Sequence, residues 1–368
     1  MTPTDKMVRG DDLGSQAFVT QLPWQQPLWQ RLTSKFLTND GLPHAILAGG
    51  RTGIGKRAFV WRWVAWQLCQ NKATSPQMAC GHCQSCQWLQ AGNHPNLRVL
   101  PSDSLPIAHT DTSDKRVYAD GTGIKVDDIR SIQDFANQGS QGLRIMVFVH
   151  AENMTVAAAN ALLKTLEEPN PHTQLILISD QPSKLLPTIR SRTQALPLSK
   201  IPLSVAKAYV STALADKTDA QISQLLTLTD NAPMAAIELA QKRWYQMQSE
   251  WLGTWQALAS QKRTPVQASD YWQSHLPLME FIELSLMMLV AIQKWQSQPW
   301  QAQQKAQHQP DEMNIGIDLS NIHLQNMPSF TATMMLQNQL YDMQRSLRQN
   351  VQDKIIYDAL MQKLAQLW

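Results

Sequence analysis

Two clusters of residues in this chain have the types and spacing that could do chemistry. The first is Gly50-Arg-Thr-Gly-Ile-Gly-Lys56. Glycines let a backbone wrap a phosphate, a helix starting there offers its unpaired N–H groups, and Lys56 would reach the terminal phosphates. The apolar run His44-Ala-Ile-Leu-Ala48 just before it reads as a buried strand, and the segment after it as a helix, which is the setting such a loop needs. Position 57, however, is Arg where the loop requires the Ser or Thr hydroxyl that ligates magnesium. Gly50, Gly53, Gly55 and Lys56 thus form a degenerate cradle: at best a weak nucleotide site, and one poorly equipped for hydrolysis.

The second cluster is Cys69, Cys80, Cys83 and Cys86, in the pattern C-x10-C-x2-C-x2-C. Four thiolates this close suit a tetrahedral zinc ion, and a closed shell leaves no open coordination position, so its role is structural. Cys-x-x-Cys also serves thiol exchange, but a third and fourth cysteine favour zinc. His82 sits inside the turn, where the cysteines already fill the shell. Confinement of all four to one window argues against a disulfide framework spread through the chain.

The elements that must position these groups centre on the stretch from Ile145 to Arg192. Ile145-Met-Val-Phe-Val149 and Leu175-Ile-Leu-Ile-Ser179 read as buried strands. Between them Thr155 caps a helix with Ala159, Leu162, Leu163 and Leu166 on one face, ended by Pro169. Strand, helix, strand with short joins predicts a parallel βαβ unit, with ligands at the carboxyl ends of the strands. A short helical stretch from Leu185 to Arg192 follows. Glu167 and Glu168 occupy the last turn of the central helix, where the dipole disfavours anions by roughly 0.3–1 kcal/mol each. Either they are simply solvated or a neighbouring basic group needs them.

Ala158-Ala-Asn-Ala-Leu-Leu-Lys-Thr-Leu-Glu-Glu-Pro169, followed by Ile189-Arg-Ser-Arg-Thr193, closely resembles the clamp-loader subunits of bacterial DNA polymerase III, members of the AAA+ family. The match narrows to two branches, the ATPase gamma/tau and its delta prime relative. In active members an acidic pair ends the central strand, where the resemblance places His150 and Ala151, and imidazole does not replace a hard oxygen ligand for magnesium. An arginine near the start of a lid helix senses nucleotide in those members, and Met234 occupies the matching position. With Arg57, His150 and Met234 in place of three catalytic parts, the resemblance implies the non-hydrolysing delta prime branch, over about Leu22 to Trp368. Ser191-Arg192 is intact, and in this family faces the nucleotide of an adjacent subunit. Arg192 would then be an arginine finger acting in trans, worth roughly 10³–10⁵ in rate; an ordinary surface charge is the alternative. The four cysteines also match the family's zinc module, with a longer first spacing.

Composition sets the outer limits. At 368 residues two or three domains are expected, and 43% hydrophobic with 17% charged residues fits a folded protein. A net charge of +3 from scattered Lys and Arg does not indicate strong autonomous nucleic-acid binding, which needs a concentrated basic surface. A zinc protein binding nucleic acid through the cysteine module would need basic and aromatic residues there, and Gln77 to Gln90 offers only Trp88 and His82. No signal peptide is legible, and the longest apolar stretch, Leu284 to Ile292, is about half a membrane span. A cytoplasmic protein with no membrane partner is expected.

Elsewhere, Leu28, Leu32 and Phe36 mark a first helix, with Trp24, Trp29 and later Trp61, Trp63 and Trp66 as packing residues. Leu97–Leu100 reads as a strand and Val126–Phe135 as an amphipathic helix. Pro202–Ala215, Asp219–Thr229 and Ala232–Gln246 read as three helices. Leu336, Leu340, Met343 and Leu347, and then Ile356, Leu360, Leu364 and Leu367, are helical stripes. Residues 101–123 and 295–311 read as exposed loops.

The expected architecture is therefore α/β plus all-α. A flexible leader (1–21) precedes an AAA+ P-loop parallel-sheet domain (22–200) carrying the zinc module (69–86), then a three-helix lid (201–246) and a helical collar (247–368). The resemblance implies a pentameric ring with gamma/tau and delta subunits, reaching the sliding clamp and primer-template DNA through the complex. As part of a DNA-directed DNA polymerase holoenzyme it would have no polymerase or ATPase activity of its own; an active ATPase of gamma/tau type is the alternative.

Overall fold

The computed structural model describes residues 18, 21–38, 43–101, 123–137, 142–297, 328–346 and 353–367. The leader and the loops read at 101–123 and 295–311 fall largely outside them. The chain forms two compact units, Met1–Val205 and Ala206–Trp368.

The first unit is built on a five-stranded sheet in the order β2-β3-β4-β1-β5. The strands are β1 (Ala45–Gly49), β2 (Leu97–Leu100), β3 (Arg144–Phe148), β4 (Thr173–Ser179) and β5 (Gln194–Ala195), and every pair is parallel. β3 and β4 are buried along their whole length, as their continuous apolar runs require of strands covered on both faces. The helices are α1 (Gln26–Leu37), α2 (Lys56–Leu68), α3 (Gln84–Gln90), α4 (Val126–Asn137), α5 (Val156–Glu167) and α6 (Pro187–Arg192).

The Thr155 side chain accepts from the Ala158 N–H, capping α5. Ala158, Ala159, Leu162 and Leu166 of α5 pack with Ile129, Ile132 and Phe135 of α4 and with Met146, Phe148, Leu175 and Leu177 of the sheet. One element was not expected. β5 has only two residues, both exposed, and is defined by its backbone pairing to Ile46 and Leu47 rather than by any apolar pattern.

The second unit is helical: α7 (Leu203–Ala213), which begins just before the division, then α8 (Asp219–Leu228), α9 (Pro233–Gln241), α10 (Gln248–Ala259), α11 (Pro265–His275), α12 (Leu278–Gln296), α13 (Phe330–Ser346) and α14 (Asp353–Ala365). Thr218 and Thr264 close capping boxes with Gln221 and Gln267. Trp251, Trp255, Trp272, Phe281 and Tyr357 form the centre of its core. Trp251 donates to Ser285 Oγ at 2.9 Å and Trp272 to Thr254 Oγ1 at 3.1 Å, so these two indole N–H groups are satisfied inside the bundle.

Two expectations change here. The helix read over Ala232–Gln246 stops at Gln241, because Lys242 turns extended and a 3-10 turn, Arg243–Met247, drops Trp244 into the core. The loop read from Trp295 begins later, because Trp295 continues the buried face of α12. Among the described residues no single helix is long and apolar enough to cross a membrane.

Candidate functional site

The glycine loop leaves the carboxyl end of β1 with Gly50, Gly53 and Gly55 at φ of 142°, 82° and 79°. At Gly50 the need is also spatial, since a Cβ would lie 2.2 Å from Ser199 Oγ. A 3-10 turn, Pro23–Gln25, pins the loop from outside: Trp24 Nε1 donates to Ile54 O at 3.0 Å and Gln25 Nε2 to Gly55 O at 2.8 Å.

Lys56 opens α2 with its side chain only 3% exposed. Its ammonium donates to Arg51 O at 3.0 Å and forms an ion pair with Asp180, the residue that follows β4. Arg57 donates to Nε2 of His150, which stands beyond the end of β3 at φ 52°. His150 Nδ1 lies 3.5 Å from Asp180 Oδ2 and 3.8 Å from Glu152 Oε1, and Glu152 Oε1 accepts the Asp180 N–H at 3.1 Å.

Electrostatics follow from this mesh. Burial raises the Asp180 carboxyl, but hydrogen bonds from His150 and Lys56 outweigh it and bring it to about 2. Asp180 and Glu152 push the His150 imidazole upward against burial and Arg57. His150, Glu152 and Asp180 place three donor atoms within 4.8 Å of one another. Lys56 and Arg57 already supply positive charge to this group, which opposes a dication there. The lysine that should meet phosphate is thus met by the chain's own aspartate, which the sequence reading did not pick out. The sequence signal was only a carboxylate directly after an apolar strand; that this strand lies beside β1 is given by the sheet order.

The four cysteines converge. Their sulfurs lie within 4.8 Å of one another, with Cys69–Cys83 and Cys80–Cys86 at 4.0 Å, and all are free of disulfides. Zinc–sulfur bonds of about 2.3 Å set tetrahedral ligands roughly 3.8 Å apart, so the residues fit the ion. The Cys80 and Cys83 N–H groups point at Cys69 and Cys80 sulfurs at 3.4 Å each. Burial raises the Cys80 thiol, but hydrogen bonds from His82, Cys83 and Cys69 outweigh it and leave it at about 6. Burial also pushes Cys69 and Cys86 up, the condition a cation would relieve.

The expected packing tryptophans hold this module in place. Trp66 donates to Ser75 O at 3.0 Å, Trp29 to Pro76 O at 3.2 Å and Arg62 to Gln77 O at 2.6 Å. Trp63 and Trp66 stack at 5.4 Å, and Trp29 meets both edge-on. Arg62 lies 4.7 Å above the Trp29 ring.

The third group is at the end of α6. Ser191 Oγ donates to Thr188 O at 3.0 Å, a local helix bond. Arg192, 38% exposed, donates through Nη2 to Glu167 Oε1 at 2.7 Å and through Nη1 to Thr188 O at 3.2 Å. The last-turn glutamate of α5 therefore has its basic neighbour. Met234 lies in the first turn of α9, in the second unit.

Comparison with known proteins gives consistent names. A family model described as DNA polymerase III, delta subunit, matches residues 24–202. The DNA polymerase III subunit delta' of Pseudomonas aeruginosa is 40% identical over 59% of this chain and 60% of its own length. That of Yersinia pestis is 30% identical over 74% of this chain and 76% of its own length. The match thus spans about three fifths of the Pseudomonas relative. Among solved structures, a DNA polymerase III gamma subunit-related protein of Thermotoga maritima aligns over 94% of this chain and 98% of that one, at 17% identity and a TM-score of 0.38.

Proposed function

The chain belongs to the DNA polymerase III delta prime family, and from that premise we propose that it is a non-hydrolysing clamp-loader subunit. It would support loading of the sliding clamp onto primed DNA and supply Arg192 to the ATP site of a neighbouring gamma/tau-type ATPase. The observation that carries this reading is a contrast in charge. Lys56 and Arg57 are engaged by Asp180 and His150, whereas Arg192 stands at the surface against the exposed Glu167 carboxylate and the Thr188 carbonyl. A buried lysine with a carboxylate partner gives up that pair to take a phosphate, and no hydroxyl follows it to hold magnesium.

In the same reading Cys69, Cys80, Cys83 and Cys86 hold a structural zinc, which ties the segment before α3 to the end of α2. α7 to α9 act as the lid. The helices from α10 onward act as the collar, joining gamma/tau and delta subunits in a pentameric ring that contacts clamp and primer-template DNA. Cytoplasmic location follows from that role.

The test is ATP turnover by the purified chain with magnesium. None is expected, and Arg57→Ser alone does not create it, because His150 still stands where the acid is needed. Magnesium-dependent hydrolysis lost on Lys56→Ala would establish the gamma/tau-type alternative instead. Co-purification from the source bacterium with gamma/tau and delta subunits tests the assembly.

A further inference from the structure

We propose that Glu167 is a positioning residue for Arg192, fixing the direction in which its guanidinium meets an anion on an adjacent subunit; this rests on the reading of Arg192 given above. Glu167 is the last residue of α5, where the helix dipole disfavours a carboxylate. Its Oε1 nevertheless accepts from Arg192 Nη2 at 2.7 Å. Glu168, at the same helix end, makes no ion pair among the described residues. Exposed ion pairs contribute little to stability, and both partners are exposed here, at 38% for Arg192 and 49% for Glu167. Stability is therefore a poor reason for a carboxylate at this point, and geometry is a better one.

Two elements grip the guanidinium from different sides. Thr188, inside α6, takes Nη1 at 3.2 Å, and Glu167, on α5, takes Nη2. Both supports are rigid. α5 is capped at Thr155, buried along Ala158, Ala159, Leu162 and Leu166, and held at its far end by His44, whose Nε2 lies 3.0 Å from Leu166 O. α6 is anchored in the same core by Ile189. Arginine carries five N–H donors in a planar fork. Two used inward leave three for an anion arriving from outside, with the plane of the fork already set.

The experiment uses the loader reassembled from this chain with its gamma/tau-type and delta subunits, and reads single-turnover ATP hydrolysis at saturating ATP with clamp and primed DNA. Arg192→Ala, Glu167→Ala, the double variant, Glu167→Gln and the control Glu168→Ala are compared. Glu167→Ala should slow the step on the order of 3- to 10-fold, with ATP KM and gel-filtration elution unchanged. It should have no further effect in the Arg192→Ala background. Glu167→Gln keeps an acceptor oxygen and should fall between wild type and Ala; Glu168→Ala should match wild type. A rate that rises or stays the same in Glu167→Ala, while Arg192→Ala is slow, overturns the proposal and leaves the reading of Arg192 intact. An equal loss in the Arg192→Ala background also overturns it, since Glu167 would then act independently. No change in Arg192→Ala removes the reading itself.

Discussion

The glycine loop and the end of α6 carry comparable basic side chains, yet the fold treats them in opposite ways. At the loop, Lys56 is nearly sealed and its charge is matched by Asp180, while Arg57 is tied by a hydrogen bond to His150 of the same unit. At α6, Arg192 keeps more than a third of its surface and leans on a carboxylate that is itself half exposed. A charge matched within a unit is committed to its partner there, because separating the two is costly. A charge held in a fixed direction at a surface remains available to an anion on another molecule. Sequence motifs mark both places as nucleotide-directed, and it is the partners of each cation that separate the two roles.

The largest effect that can sharpen this contrast comes from the cysteines at the other end of α2. Thiolate zinc sites carry on the order of 10 kcal/mol of binding free energy. Metal analysis should find about one zinc per chain, lost in Cys83→Ser. In that variant hydrogen-exchange protection should fall over residues 56–90, where Trp66, Trp29 and Arg62 tie the module down, and persist over 185–195. Equal zinc in both proteins ends the assignment, and loss of protection at both places ends the separation of the two regions.

Next in size is Asp180→Asn. Removing one member of a buried ion pair costs about 3 kcal/mol, because the Lys56 ammonium is left without its carboxylate. The pH sense follows from a carboxyl lowered in the folded state from 3.8 to about 2. Its stabilisation is complete above the ordinary value and lost as pH falls toward the folded one. Denaturant melts of wild type and variant should therefore differ most at neutral pH and converge between pH 3.8 and about 2. Curves that stay parallel would remove Asp180 from the network.

How much of this could be read in the chain depends on range. β1, β3 and β4 were legible because each is a short apolar run, and α5 because its cap, its stripe and Pro169 are local. β5 was not, since two exposed residues carry no pattern and their pairing to β1 is a tertiary event. The Lys56–Asp180 pair was hidden for a related reason: β4 becomes the neighbour of β1 only once the sheet order is known. Glu167 was half legible. Its misplaced charge at a helix end asked for a cation, and the fold supplied Arg192 from α6. The helix read through Gln246 ran too long because the residue that ends it, Lys242, is no breaker; the burial of Trp244 decides the matter.

The smallest effect is expected from Trp66→Phe, which deletes the N–H donated to Ser75 O and puts a smaller ring in the buried stack. A loss of about 2 kcal/mol in stability, from the hydrogen bond and the small cavity together, with zinc content unchanged, is predicted from equilibrium unfolding. Loss of zinc in this variant would mean that the aromatic cluster, rather than the sulfurs, shapes the module.

The central claim is that this chain assists hydrolysis through Arg192 and performs none through Lys56. The most direct measurement is ATP turnover by the reassembled loader carrying either Arg192→Ala or Lys56→Ala in this subunit alone, with assembly verified by gel filtration. Arg192→Ala should abolish hydrolysis at the one neighbouring site it faces, by roughly 10³-fold or more, and so lower the total rate in part. Lys56→Ala should leave the rate per assembled complex at the wild-type level. The reverse pattern, full turnover without Arg192 and a loss without Lys56, would contradict the account.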